Sequence, residues 1–194
     1  MTTIKKSVIT RRHFAASVAA FGVAAPGILR AQEEAPAAGT VEIRTNNYSI
    51  RSWQGHFASL RKGAILVDTK GRTLHYWPEG EAYHKVFPVS VPLTPDLTRL
   101  GRTSIVRKRV GPDWRPTPSM LKRNPNLPDY IGPGPENPLG THALYLSWQY
   151  YRIHGTNDTR KIGRQSSNGC IGLYNDDIEE LFELAKVGTQ VLLI

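Results

Sequence analysis

Ala64-Ile65-Leu66-Val67-Asp68, then Thr69-Lys70-Gly71-Arg72, then Thr73-Leu74-His75-Tyr76-Trp77: this stretch decides the fold class. Two short runs rich in branched and aromatic side chains flank a Lys70-Gly71 turn, which reads as a β-hairpin. Lys85–Val91 reads as a third strand, and Pro88, which cannot donate to a ladder, puts it at an edge or a bulge. Thr103–Val110, His142–Ser147 and Tyr150–His154 follow as strands, and Val191–Ile194 as a terminal apolar one. One segment has convincing helical spacing. Ile178, Leu181, Phe182 and Ala185 share a face, Asp176 is placed to cap, Glu179 to complete a capping box, and Gly188 to end the helix. The expectation is a mainly β domain with one amphipathic helix near its C-terminus.

Between the fourth and fifth strands lies a segment of another kind. Eight of the 14 prolines and four glycines fall in residues 111–140, a stretch expected to form neither a central strand nor a helix. A long, stiffened Pro/Gly-rich loop in a small domain is usually a binding loop or a lid. The run from Arg99 to Arg123 is basic as well: Arg99, Arg102, Arg107, Lys108, Arg109, Arg115, Lys122 and Arg123 are opposed within it only by Asp113. They form either a solvated face or an attraction for a carboxylate-rich substrate or polymer.

The 194 residues suit one domain, and the formal charge is +9. Residues 1–31 read as an export signal: Lys5, Lys6, Arg11 and Arg12 precede a small apolar stretch from Phe14 to Ala25. The run Thr10-Arg11-Arg12-His13-Phe14 is similar to the twin-arginine motif, although Ala15 and Ala16 stand where Leu and Lys are usual. Cleavage after Ala31 leaves 163 residues and a charge of +4, because five basic residues and no acidic ones go with the signal. Nucleic acid therefore drops out as an expected partner. No apolar run reaches the ~20 residues needed to span a bilayer, so no membrane span is expected in the mature chain. Residues 32–62 read as linker and N-terminal segment, and 63–194 as the catalytic domain.

Cys170 is the sole cysteine, which excludes an intramolecular disulfide and a multi-cysteine zinc site. It stands in Gln165-Ser166-Ser167-Asn168-Gly169-Cys170-Ile171-Gly172-Leu173. The glycines let backbone N–H groups turn toward a developing oxyanion, and Ser167 and Asn168 add neutral donors. A nucleophilic thiol needs a base. His13 lies in the signal, and His56, His75, His84 and His142 sit in strand or aromatic contexts that favour packing or surface roles. His154 ends a strand at a Gly155-Thr156-Asn157 turn, and no carboxylate stands beside it. A backbone carbonyl, that of Gly155 for example, can fix its tautomer instead. The residues alone leave two readings open, a Cys–His acyl-transfer site and a structural cysteine.

The ordered set Ile153-His154-Gly155-Thr156-Asn157, Ile162-Gly163, Ser167-Asn168-Gly169-Cys170-Ile171 and Asn175-x-Asp177 resembles the catalytic signature of the L,D-transpeptidase (YkuD-type) family. So do Gly132-Pro133-Gly134-Pro135-x-Asn137-Pro138-Leu139-Gly140 and Val187-Gly188-Thr189-Gln190-Val191. The resemblance runs from about Ala64 to the end of the chain. Three departures stand out: Asn168 replaces a common His, Gly172 a usual Arg, and Thr98-Arg99-Leu100-Gly101 a Thr-Pro-x-Gly turn. They bear on recognition of the substrate carboxylate rather than on the reaction class.

The resemblance implies a β-sandwich or mixed sheet and a periplasmic enzyme acting on peptidoglycan stem peptides in cell wall biogenesis. Cys170 would attack the third, L-centred residue of a tetrapeptide, releasing D-alanine, with His154 carrying the proton and the N–H groups around Gly169 and Cys170 holding the oxyanion. An amine, on another stem or on a wall-anchored protein, or water would take the acyl group. No metal or organic cofactor is implied. Two rivals remain at this level: a stem-peptide hydrolase with the same dyad, and a non-catalytic wall-binding homologue. A papain-like peptidase has the opposite Cys–His chain order.

Overall fold

The computed structural model describes residues 51–194. The expected export signal, and the linker as far as residue 50, lie outside the described residues. Among the described residues ten strands and two α-helices follow in chain order. They are β1 (Ala64–Asp68), β2 (Thr73–Trp77), β3 (Lys85–Pro88), β4 (Val91–Pro92), β5 (Gly101–Val110), α1 (Pro118–Arg123), β6 (His142–Leu146), β7 (Arg152–His154), β8 (Gln165–Ser167), β9 (Ile171–Gly172), α2 (Asn175–Leu184) and β10 (Gln190–Leu193). Among the described residues no helix is long and apolar enough to cross a membrane.

Eight strands form one mixed sheet in the order β3-β2-β1-β10-β5-β6-β7-β9, with β1–β10 and β7–β9 parallel and the other pairs antiparallel. The hairpin β1–β2 and the edge position of β3 are as the sequence suggests. β3 and β9 are opposite edges, yet the chain runs on from β3 through Val89 to Ser90, whose N–H and C=O pair with Gly172 of β9 at 2.8 and 3.2 Å. The sheet is therefore curled until its edges meet. β4 continues along that seam and pairs with β8.

All five residues of β1 are buried because both of its faces are covered, and an unbroken apolar run is what such a strand requires. Ile65 and Val67 join the main core with Leu144, Ile153, Ile171 and the α2 residues Ile178 and Leu181. Ala64 and Leu66 point the other way, to Phe57, Leu60 and Trp77. Full burial of such a side chain contributes about 1.5–3 kcal/mol.

Two local expectations are corrected. Tyr174, the residue before α2, makes no side-chain cap bond, and it rather than Asp176 holds the capping position. Asp176 and Asp177 instead lie in the first turn, where they complement the helix dipole. The helix leaves through Ala185 in an extended conformation, and Gly188 (φ 93°) turns the chain into β10 rather than capping the helix. The Pro-rich segment also contains α1: Pro118 occupies the first turn, where its missing N–H costs nothing, and Thr117 accepts from the Met120 N–H at 3.3 Å. Proline excludes a helix interior, not a helix start.

Candidate active site

The parallel register of β7 and β9 sets Ile153 against Ile171 and His154 against Gly172. Side chains alternate along a strand, so Arg152 and His154 leave β7 on one face, and Cys170, just ahead of β9, leaves on the same side. All three line a cleft of about 700 Å³, a volume that suits a small ligand or a short peptide. Its opposite wall comes from the 111–140 segment: Met120 and Arg123 of α1, then Leu127, Ile131 and Leu139.

The cysteine turn is held by one hydroxyl. Ser167 Oγ accepts from the Gly169 N–H at 3.3 Å and donates to the Cys170 carbonyl at 2.5 Å. Gly169 has φ 124°, a conformation that a side chain would strain. Its N–H is already engaged, whereas among the described residues no hydrogen bond takes the Cys170 N–H. The Cys170 thiol donates to the Tyr150 carbonyl at 3.3 Å, and Tyr150 itself has φ 68°, uncommon outside glycine. Burial pushes the thiol above its ordinary value, while the charge and hydrogen bonding of Arg152 pull the other way. The thiol is protonated at rest.

His154 ends β7, and its Nδ1 lies 2.5 Å from the Gly155 carbonyl. A carbonyl can only accept, so Nδ1 carries the proton and Nε2 keeps a free lone pair. Burial pushes the imidazole down to about 4, helped by the charges of Arg152 and Lys161. The ring is therefore neutral near pH 7. The turn beyond it is tethered by Asn175, whose Oδ1 accepts from the Thr156 and Thr141 N–H groups at 3.1 and 3.3 Å. A Cβ on Gly155 or on Gly140 would stand 2.2 Å from that oxygen, which is why both positions lack one.

The Pro-rich segment is anchored at both ends of the cleft. Asn137 is fully buried; its Nδ2 donates to the carbonyls of Pro112 (2.7 Å), Gly132 (2.9 Å) and Ile131 (3.3 Å), and its Oδ1 accepts from Leu139 (2.8 Å). Asn157 donates to the Glu136 carbonyl at 3.0 Å, tying the segment to the histidine turn. Asn168 accepts from Arg123 of α1 at 2.9 Å, tying it to the cysteine turn. Asn168 thus faces the wall, and Ser167 the backbone.

Two features of the sequence take on a different meaning here. The basic run is not one patch: Arg99 lies over Trp148, Arg102 over Phe57, Arg107 over Tyr145, Lys108 over Phe182 and Arg115 over Tyr130. Arg109 pairs with Asp113 at 2.7 Å. Of the eight, only Arg115 and Arg123 line the cleft. At position 172 a Cβ would stand 2.4 Å from Ser90 Oγ, on the seam where the sheet closes, so a side chain there requires the Ser90 hydroxyl to turn aside. Arg152, Tyr150 and Ser90 escape sequence reading because only the folded chain brings them to the cleft.

A model of the L,D-transpeptidase catalytic domain (YkuD) matches residues 62–193. An open reading frame named as an L,D-transpeptidase, ORF 5 in the ATP synthase subunits region of Fuscovulum blasticum, is 53% identical over 92% of this chain and 92% of its own length. The probable L,D-transpeptidase ErfK/SrfK of Escherichia coli is 40% identical over 70% of this chain, which spans only 45% of that protein. Among solved structures, an L,D-transpeptidase from Mycobacterium smegmatis has a TM-score of 0.52 at 19% identity, covering 69% of this chain and 58% of that one. L,D-transpeptidase 3 from Mycobacterium tuberculosis has a TM-score of 0.53 at 14% identity, over 69% and 61%. At such identities the likeness to these structures concerns the fold alone.

Proposed function

The chain belongs to the L,D-transpeptidase catalytic-domain family, and on that premise we propose that it is an acyltransferase of peptidoglycan stem peptides working through Cys170 and His154. One observation carries the reading: the sole thiol and a neutral histidine with a free Nε2 leave neighbouring parallel strands into one peptide-sized cleft.

In the first half-reaction His154 Nε2 takes the thiol proton as sulfur attacks the carbonyl carbon of the third stem residue. Thiol and imidazole both rest neutral, so proton transfer accompanies attack rather than preceding it. The tetrahedral oxyanion is received by the Cys170 N–H, and by that of Gly169 once Ser167 yields it. The C–N bond to D-alanine breaks, the Nε2 proton goes to the leaving amine, and a thioester remains. An acceptor amine then attacks the thioester, returning a proton through His154 to the sulfur.

The anchored 111–140 wall favours transfer over hydrolysis. Water at about 55 M competes for the thioester unless the cleft orients an amine and excludes water, and a proline-stiffened wall does this with little ordering entropy. With the expected export signal, the reading places the enzyme in the periplasm, with wall stems or a wall-anchored protein as acceptors. The test is mass spectrometry of muropeptides after incubation with tetrapeptide-containing wall material. Wild type releases D-alanine and forms linked products, and Cys170→Ala, equally folded by circular dichroism, forms none. Products from Cys170→Ala would end the nucleophile assignment.

A further inference from the structure

Arg152 is the one charged group beside the thiol to which the mechanism above gives no task. The register that opposes Ile153 to Ile171 puts Arg152 level with Cys170, and two-residue alternation puts its side chain on the face of His154. Its Nη1 donates to the Tyr150 carbonyl at 3.3 Å, the same oxygen that accepts the Cys170 thiol at 3.3 Å. Its Nε is buried and, among the described residues, has no hydrogen-bond partner. Among the described residues no carboxylate pairs with it. On its outer side lies the Tyr145 ring, 5.2 Å from the guanidinium carbon, and the far neighbour on that ring is another cation, Arg107 at 3.7 Å.

A half-buried guanidinium with an unsatisfied donor and no counter-ion is costly to keep unless an anion forms beside it. The Cys170 sulfur, which shares the Tyr150 carbonyl with this guanidinium, is a group able to become one. The other charges lining the cleft are Asp96, Arg115, Arg123, Glu136 and Lys161. Arg123 is engaged by Asn168 and Arg115 by Tyr130, whereas Lys161 acts on His154. None of these shares a hydrogen-bond acceptor with the thiol.

We propose that Arg152 is the positioning cation of the site: it stabilises the Cys170 thiolate and draws anionic reagents to it. In the resting state the Tyr150 carbonyl holds thiol and guanidinium on one oxygen. As the proton passes to His154, negative charge builds on a sulfur that the Tyr150 carbonyl oxygen then repels and the guanidinium attracts. The inference rests on the reading of Cys170 as nucleophile, but its test does not need turnover.

The experiment alkylates the single thiol of the full chain across a pH series, with neutral iodoacetamide and anionic iodoacetate in parallel. Arg152→Gln is expected to slow iodoacetamide about tenfold at pH 7 and to move the midpoint of the rate–pH curve about one unit higher. The iodoacetate-to-iodoacetamide rate ratio should fall several-fold as well, a change that loosened packing alone does not produce. Arg152→Lys keeps the charge and should restore most of both effects. An unchanged midpoint and ratio in Arg152→Gln overturns the proposal, as does Arg152→Lys behaving like Arg152→Gln. If Cys170→Ala retained wall chemistry, the transpeptidase reading would fail while the alkylation ratios would still report the charge at the thiol.

Discussion

His154 on β7 and His75 on β2 are both pushed down to about 4 by burial, and both are neutral near pH 7. They differ in what their second nitrogen does. In His75, Nε2 meets Thr73 Oγ1 at 3.1 Å and Nδ1 meets His84 Nε2 at 3.0 Å, and the stack continues from His84 onto Trp77 at 4.6 Å. Both ring nitrogens are used inside the fold. In His154 only Nδ1 is engaged, by a carbonyl that can do nothing but accept, and Nε2 is left to the cleft. A depressed imidazole therefore marks burial, and an unoccupied nitrogen facing a cavity marks chemistry.

The sharpest way to break this contrast is to remove each ring in turn. His154→Ala is expected to lower turnover about 10²–10⁴-fold, the usual span for a general acid–base, with little change in melting temperature. A near-normal rate in wall-digestion assays would move the base elsewhere. His75→Ala should do the reverse. Removing a fully buried ring from the middle of β2 and orphaning Thr73 and His84 should cost about 2–4 kcal/mol in urea unfolding, with the rate per folded molecule unchanged. A selective loss of rate would mean that the β2 histidine reaches the cleft.

The smallest effect is the pH dependence of stability. A histidine whose folded value is about 4 against 6.5 when unfolded binds protons more readily unfolded, so stability falls as pH drops from 6.5 toward 4. Between pH 7 and 5.5 His75 should account for about 1 kcal/mol of that fall. Unfolding free energies of wild type and His75→Ala should converge by this amount at the lower pH. His154 acts in the same direction, so the slope should shrink in His75→Ala without vanishing.

The loop and the sheet differ in another respect, in how much of each could be read from residues alone. The hairpin, β3 at an edge, β5, β6, β7, β10 and the apolar face of α2 follow from local periodicity, because burying an alternating or apolar face is a demand each segment makes by itself. The two-residue strands β4 and β9 and the three-residue β8 carry no period of their own; they exist because the curled sheet brings partners to them. The 111–140 segment reads as a stiff wall from its prolines. That Asn137 is its buried anchor, bonded to four backbone groups, is a property of the folded loop.

For the site the division is similar. Cys170, His154 and the turns around them stand out locally, because glycines, a sole thiol and a histidine at a strand end are uncommon companions. Asn175 and Asn157 are visible as motif residues, but their tasks are not, since each bonds a backbone group at least 19 positions away. Position 172 shows most plainly what sequence alone leaves open. Gly172 reads as a lost side chain until the closing of the sheet sets Ser90 2.4 Å from where its Cβ would be. The sequence by itself determined the longer strands, where the face of α2 lies and which residues are candidates for acyl-transfer chemistry, since these depend on contacts near in the chain and on side-chain type. Only the tertiary structure decided that Arg152 stands level with the thiol, that Tyr150 offers both the same carbonyl, and that the Pro-rich wall closes the cleft. Those relations depend on strand register and on the curl of the sheet, which are settled by packing the whole core at once.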